Sequence, residues 1–258
     1  MKALIIAAGR GSRLGHYTDS LPKPLVAINN LSFFENTIKH LRDIGIQDIG
    51  AVIGYKKESF KNFKDITFFI NNNWQNNNIL HSLFYAKDFL DDDTIILYGD
   101  IWFERSAIDT IFYDNSSNFT IAVDDQWDEY YKNRTDHPIS EAENVHYDSN
   151  LNIKSIGKHI HLSTNPTYNI GEFMGLLKIS KKIIHNIKKE FETLEKLYLP
   201  NDNFQQALHF EKAYLTDFIQ YLISKSYDIK CVINHNGWFE IDTIQDLNNL
   251  KERFNNVK

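Results

Sequence analysis

Over its first hundred residues the chain alternates short apolar runs with segments of helical spacing. KALIIAA (2–8) is continuous, isoleucine-rich and ended by glycine, as expected of a strand buried on both faces of a parallel sheet. SFFENTIKHLRDIG (32–45) repeats its apolar positions at helical intervals, with Ser32 and Glu35 spaced as a capping box and Gly45 as a stop. DIGAVIGY (48–55), ITFFIN (66–71) and TIILYGD (94–100) predict strands, KESFKNF (57–63) a short helix and NNNILHSLFYAKDFL (76–90) a longer one. This rhythm predicts an α/β fold with a doubly wound, mostly parallel sheet.

After Phe103 the rhythm changes. FTIAVDD (119–125) reads as another strand, and QWDEYYKNRTDHPISEAENVHYD (126–148) is a long polar stretch. NIKSIGKHI (152–160) and FMGLLKIS (173–180) suggest an antiparallel excursion. Two amphipathic helices follow at 181–198 and 213–226, then strands DIKCVIN and WFEID and a closing helix at 243–256. No repeat or Ser/Pro-rich linker divides the chain. We expect one domain, 1–258, with an antiparallel insertion near 124–175.

Charge narrows the partners. A formal net charge of −6 argues against broad binding to nucleic acid or acidic membranes, so any anion site must be a local cluster of cations. The single cysteine, Cys231, lies in an apolar run and has no internal disulfide partner, which fits a reducing, cytoplasmic setting. The first apolar run is too short for a signal segment, and no stretch has the length of a membrane span.

The candidate cluster is the loop that ends the first strand, GRGSRLG, followed by PKP at 22–24. A dinucleotide fingerprint requires a helix directly after the glycines, and the prolines prevent one. No Gly-Lys-Ser/Thr closes a P-loop either. What fits is a long anion-embracing loop. Gly9 and Gly11 allow backbone N–H groups to approach phosphate oxygens. Arg13 supplies a planar fork and Lys23, braced by prolines, a point charge. Arg10 is expected to face solvent. Asp100 ends a strand at the carboxyl edge of the sheet, where α/β folds place ligands, and Asp242 lies in WFEID with Glu240 on the same face. Hard carboxylates from separate strands suit Mg²⁺.

LIIAAGRGSRL with PKPL, LYGD, GEFMGL and WFEIDT, in that order, resemble the signature of the nucleotidyltransferases typified by sugar-phosphate nucleotidylyltransferases. The resemblance spans nearly the whole chain and implies a Rossmann-like fold of the nucleotide-diphospho-sugar transferase type. It implies that an NTP lies over Ala7, Ala8, Gly9, Gly11, Ser12, Arg13 and Lys23, and that Asp100 and Asp242 hold Mg²⁺. Asn78 and Ser82 match positions that small cytidylyltransferases place around a pyrimidine, which implies CTP, with UTP as the alternative. Lys158 matches the lysine that meets the acceptor's phosphoryl group, Glu172 a residue turned to ribose or acceptor, and Asp217 a carboxylate set near the choline ammonium of phosphocholine enzymes. Leu215 and Thr216 do not supply the aromatic rings found beside it there. RTDHPISEAENV (134–145) resembles instead the phosphonate and phosphoglutamine cytidylyltransferases of surface-polysaccharide pathways, with Arg134 and His137 as a clamp for a carboxylate or phosphonate; an ordered surface loop is the plain alternative.

The implied reaction is transfer of a cytidylyl group from CTP to a small phosphorylated acceptor, with Arg13, Lys23 and Lys158 as catalytic cations. The acceptor itself stays open among phosphocholine, 2-aminoethylphosphonate and phosphoglutamine. A sugar-1-phosphate enzyme using UTP or dTTP is one alternative. A GT-A glycosyltransferase is another, although GDIWFE lacks its second aspartate. A nucleotide-binding regulatory subunit is disfavoured by the intact charged set. Oligomeric state is not legible.

Overall fold

The computed structural model describes residues 1–132, 134–158, 160 and 167–256. Its sheet has a parallel half and an antiparallel half. In the first, β1 (Lys2–Ala7) lies between β4 (Ile49–Ile53) and β6 (Thr94–Tyr98), and β5 (Thr67–Ile70) continues beyond β4; every neighbouring pair is parallel. Between β1 and β4 run a small ribbon, β2 (Ala27–Ile28) with β3 (Leu31–Ser32), and helix α1 (Phe33–Asp43). The Ser32–Glu35 capping box forms in both directions, contributing on the order of 1 kcal/mol to the helix start. Helix α2 (Ile79–Phe84) leads toward β6 and is shorter than its sequence suggests, because turns replace the helix after Phe84. The segment expected as a short helix at 57–63 is a 3₁₀ turn, Lys57–Phe60.

The antiparallel half is organised by one long strand. After β7 (Ile101–Phe103) and α3 (Arg105–Tyr113) come β8 (Phe119–Asp124), α4 (Trp127–Tyr130), β9 (Glu143–Tyr147), β10 (Ile153–Lys158) and β11 (Asn169–Ile179). The last half of β11 lies antiparallel to both β6 and β8, while its first half pairs with β9, which pairs with β10. A register shift between Phe173 and Leu177 separates the halves at Gly175, whose φ of 66° is left-handed. Before the bend Glu172 stays in the sheet, opposite Asp124 of β8 and Asn144 of β9, and lines a cavity. α5 (Lys181–Leu197), α6 (Leu215–Ser224), β12 (Lys230–Asn234, parallel to β8), β13 (Trp238–Glu240) and α7 (Ile244–Asn256) complete the order. Sequence patterning did not foresee α3 or β9; Glu-Asn-Val-His-Tyr alternates too weakly to mark a strand. Residues 133, 159 and 161–166 of the expected insertion lie outside the described residues.

β1 shows why the sheet is central. Leu4 and Ile6 pack on one face, Ala3, Ile5 and Ala7 on the other, all buried. Cys231 is buried in the first of these clusters. A third cluster joins Leu14, Val26 and Phe33 to Trp102, Phe239 and Leu247. It fastens the loops on either side of Arg13 and Lys23 to β7, β13 and α7. Each fully buried leucine there contributes about 1.5–3 kcal/mol. Among the described residues no helix is long and apolar enough to cross a membrane.

Candidate active site

The site lies at the carboxyl ends of β1 and β6. Asp100 follows β6 and directly precedes β7; Asp242 follows β13. β7 and β13 pair antiparallel with Ile101 opposite Glu240, so the ribbon brings together two aspartates distant in sequence. Into the gap between them comes Lys23. Its ammonium donates to Asp100 Oδ2 at 2.9 Å and to Asp242 Oδ1 at 2.7 Å, and its side chain is only 2% exposed. Burial works against the charge, but the two carboxylates outweigh it and raise the pKa above the usual lysine value. Gly11 makes this approach possible: it has φ +70°, and a Cβ there would lie 2.6 Å from Lys23 Cβ.

Asp242 has further partners. Arg13 donates to its Oδ2 at 2.6 Å, with a side chain 54% exposed at the loop's rim, and His137 Nδ1 lies 3.1 Å from the same oxygen. Burial pushes the Asp242 carboxyl up, but Lys23, His137 and Arg13 together hold it well below the usual range. Arg10 instead pairs with Asp19 at the surface. The loop's shape is fixed by Thr18, which donates to the Gly11 and Gly15 carbonyls, and by Tyr55, which donates to those of Thr18 and Asp19. Ala7 and Ala8 are buried beneath it, and Gly9 and Ser12 are exposed above.

Beyond the aspartates opens a cavity of about 190 Å³, lined by Arg13, Asn78, Asp100, Lys158, Glu172 and Asp242 among others. Lys158 reaches it from the end of β10, 3.3 Å from Glu141 and over the Tyr214 ring at 4.8 Å. Glu172 accepts a 2.6 Å bond from the Tyr131 hydroxyl, while its Oε2 is buried without a hydrogen-bond partner among the described residues. Burial, then the neighbouring Glu240, pushes its pKa well up. Glu143 accepts from Thr216; burial raises its pKa to about 7 against the opposing pull of Lys158.

Other predicted residues sit elsewhere or are already engaged. Asn78 borders the cavity but caps α2 through its Oδ1 and donates to the Lys212 carbonyl. Ser82 is buried, its hydroxyl accepting from Asn71. Asp217 does not reach into the cavity: it caps α6 by accepting from the Tyr214 and Gln206 N–H groups. Arg134 and His137 do not form an outward clamp. Each side chain is 2% exposed; Arg134 binds Asp246 at 2.6 Å and lies 3.4 Å from Glu240, against the Tyr130 and Tyr131 rings. A guanidinium so enclosed needs carboxylates around it, and these face inward.

Sequence reasoning missed Asp246. Its Oδ2 accepts from Asp242 N, Thr243 N and Thr243 Oγ1, holding the turn that presents Asp242. The Thr243–Asp246 spacing is a capping-box signal that could have located it. His137, Glu240 and Asp242 also place donor atoms within 4.8 Å of one another, a convergence no histidine spacing revealed.

Comparison with known proteins places the chain by sequence and fold. Residues 3–149 match the MobA-like NTP transferase domain. The chain is 31% identical over 257 residues to the CTP:phosphoglutamine cytidylyltransferase of Campylobacter jejuni, covering 96% of this chain and 98% of that protein. Over a shorter stretch of 99 residues, 37% of this chain and 43% of that protein, it is 36% identical to the choline-phosphate cytidylyltransferase of Streptococcus pneumoniae. The solved structure of the CTP:phosphocholine cytidylyltransferase from that organism superposes with a TM-score of 0.72 at 20% identity, over 98% of both chains. The chain belongs to the MobA-like NTP transferase family of nucleotidyltransferases.

Proposed function

We propose that the protein transfers the cytidylyl group of CTP to a small phosphorylated or phosphonate acceptor. An acceptor oxygen, already ionised at neutral pH, attacks the α-phosphorus in line. The bond from the α-phosphorus to its bridging oxygen breaks, and pyrophosphate leaves with that electron pair. No general base is needed, so the protein's part is positioning and charge compensation. Arg13 and Lys23 face the triphosphate; Lys158, across the cavity, faces the acceptor's phosphoryl group and offsets the repulsion between two anions.

The donor set at the gap fits a divalent cation. Asp100 and Asp242 direct hard carboxylate oxygens at one point and already enclose a positive charge there. Those two residues would hold Mg²⁺, which when bound withdraws charge from phosphoryl oxygens. The observation that carries the reading is this convergence of Lys23, Asp100 and Asp242 at the mouth of a cavity whose far wall bears Lys158. Phosphoglutamine heads the acceptors we expect, supported by the full-length similarity to the Campylobacter enzyme.

Pyrophosphate release tests it, crossing CTP, UTP, ATP and GTP with phosphoglutamine, phosphocholine, 2-aminoethylphosphonate and glucose 1-phosphate in Mg²⁺. Release with CTP and one of the amine-bearing acceptors is expected. Release only with UTP and the sugar phosphate would overturn the assignment.

A further inference from the structure

Lys23 is a phosphate ligand in the proposed reaction, yet its ammonium sits between the two carboxylates assigned to the divalent cation. Both bonds are short, at 2.9 Å and 2.7 Å, and the side chain is almost wholly buried. Arg13 likewise rests on Asp242 Oδ2. Two of the cations expected on the triphosphate are thus bound to the carboxylates. Resting on the nucleotide and metal reading above, we infer that Lys23 is the resident cation of this site and keeps divalent ions out until a nucleotide draws it away.

The argument is one of charge and space. Asp242 is 12% exposed and Asp100 41%, so the inner carboxylate in particular requires a counter-charge. A divalent ion and an ammonium both placed between these oxygens would repel each other at short range. An incoming triphosphate offers Lys23 and Arg13 alternative anionic partners at the glycine loop beside them. Their transfer frees Asp100 and Asp242 at the moment when phosphoryl oxygens arrive to complete a cation's oxygen shell. The metal then enters with, or after, the nucleotide and not before it. Lys23 thereby acts twice, first as placeholder and then as phosphate ligand, and the protein never leaves the aspartates uncompensated.

The inference makes an unusual demand on a substitution. Lys23→Met should bind Mn²⁺ without nucleotide at least about tenfold more tightly than the wild-type protein, within the range of ordinary site–site coupling. Mn²⁺ binding is read by electron paramagnetic resonance, and circular dichroism confirms the fold of the variant. Equal nucleotide-free Mn²⁺ affinity in the two proteins would overturn the placeholder role. A second measurement does not depend on the variant: wild-type crystals soaked in MnCl₂ alone should show no anomalous peak between Asp100 and Asp242, and crystals soaked in MnCl₂ with CTP should show one, with Lys23 displaced. A peak with MnCl₂ alone and Lys23 in place would also overturn the inference. No peak in either soak, with CTP bound, would instead remove the metal site on which it rests.

Discussion

On the side of the cleft formed by the first loop, Arg13, Lys23, Asp100 and Asp242 turn their charges toward one another at the sheet's edge, open to a cavity. On the insertion side, Arg134 is turned into the protein against Asp246, and the His137 ring is buried against Asp242. A cation next to a carboxylate is thus not enough to mark a ligand site. What distinguishes the two is exposure: Arg13 is 54% and Asp100 41% exposed, whereas Arg134 and Asp246 are each 2% exposed. The first set can exchange partners. The second is a fixed strap that holds Asp246, which in turn holds the turn bearing Asp242.

The largest effect should therefore come from the strap, and it should be on stability. Arg134→Met leaves Asp246 buried without its cation, a loss of about 3–5 kcal/mol, measured by urea unfolding. Michaelis constants of the protein that remains folded should stay near wild type. A raised acceptor KM with unchanged stability would return Arg134 to the acceptor. On the open side, Lys23→Ala should lower kcat by about 10²-fold or more, as when a preorganised charge is lost. The readout is pyrophosphate release at saturating CTP, and near-normal turnover would reduce Lys23 to a loop brace.

How far each side was legible follows from the same contrast. GRGSR, PKP and the strand-end aspartates could be read because their chemistry depends on local sequence: a glycine turn, a proline-braced lysine, a carboxylate at the end of an apolar run. Their meeting depends only on parallel strand order and one ribbon. The insertion side depends on long-range packing that no local pattern encodes. Arg134 looks like a surface clamp until Tyr130, Tyr131 and Asp246 enclose it. Asp217 looks like an ammonium ligand until its two backbone bonds show it capping α6. Ser82 and Asn78 met the same competition, being taken up by Asn71 and by the start of α2.

Lys158 stands between these two cases, since it is partly buried yet borders the cavity. If it serves the acceptor, Lys158→Met should raise the acceptor KM about tenfold, the scale of one charge-assisted hydrogen bond, and leave the KM for CTP unchanged. A shift in the CTP constant alone would move Lys158 to the nucleotide side.

A further effect concerns Glu143, which shares that wall. Burial raises its pKa from 4.5 to about 7, while Lys158 and the Thr216 hydroxyl pull it down. The folded state therefore holds the proton more tightly than the unfolded state between those two values. Stability from Glu143 is fully present below pH 4.5 and is lost as pH rises toward 7, the opposite of the usual salt-bridged carboxylate. Glu143→Gln carries no such proton. The difference in unfolding free energy, wild type minus variant, should fall across that window and level off above it; a difference independent of pH would show that Glu143 is solvated. In a Lys158→Met background the levelling point should move to higher pH, because the nearby ammonium that favours the ionised carboxylate is gone. That shift would tie the two residues to one wall of the pocket by a measurement that requires no substrate.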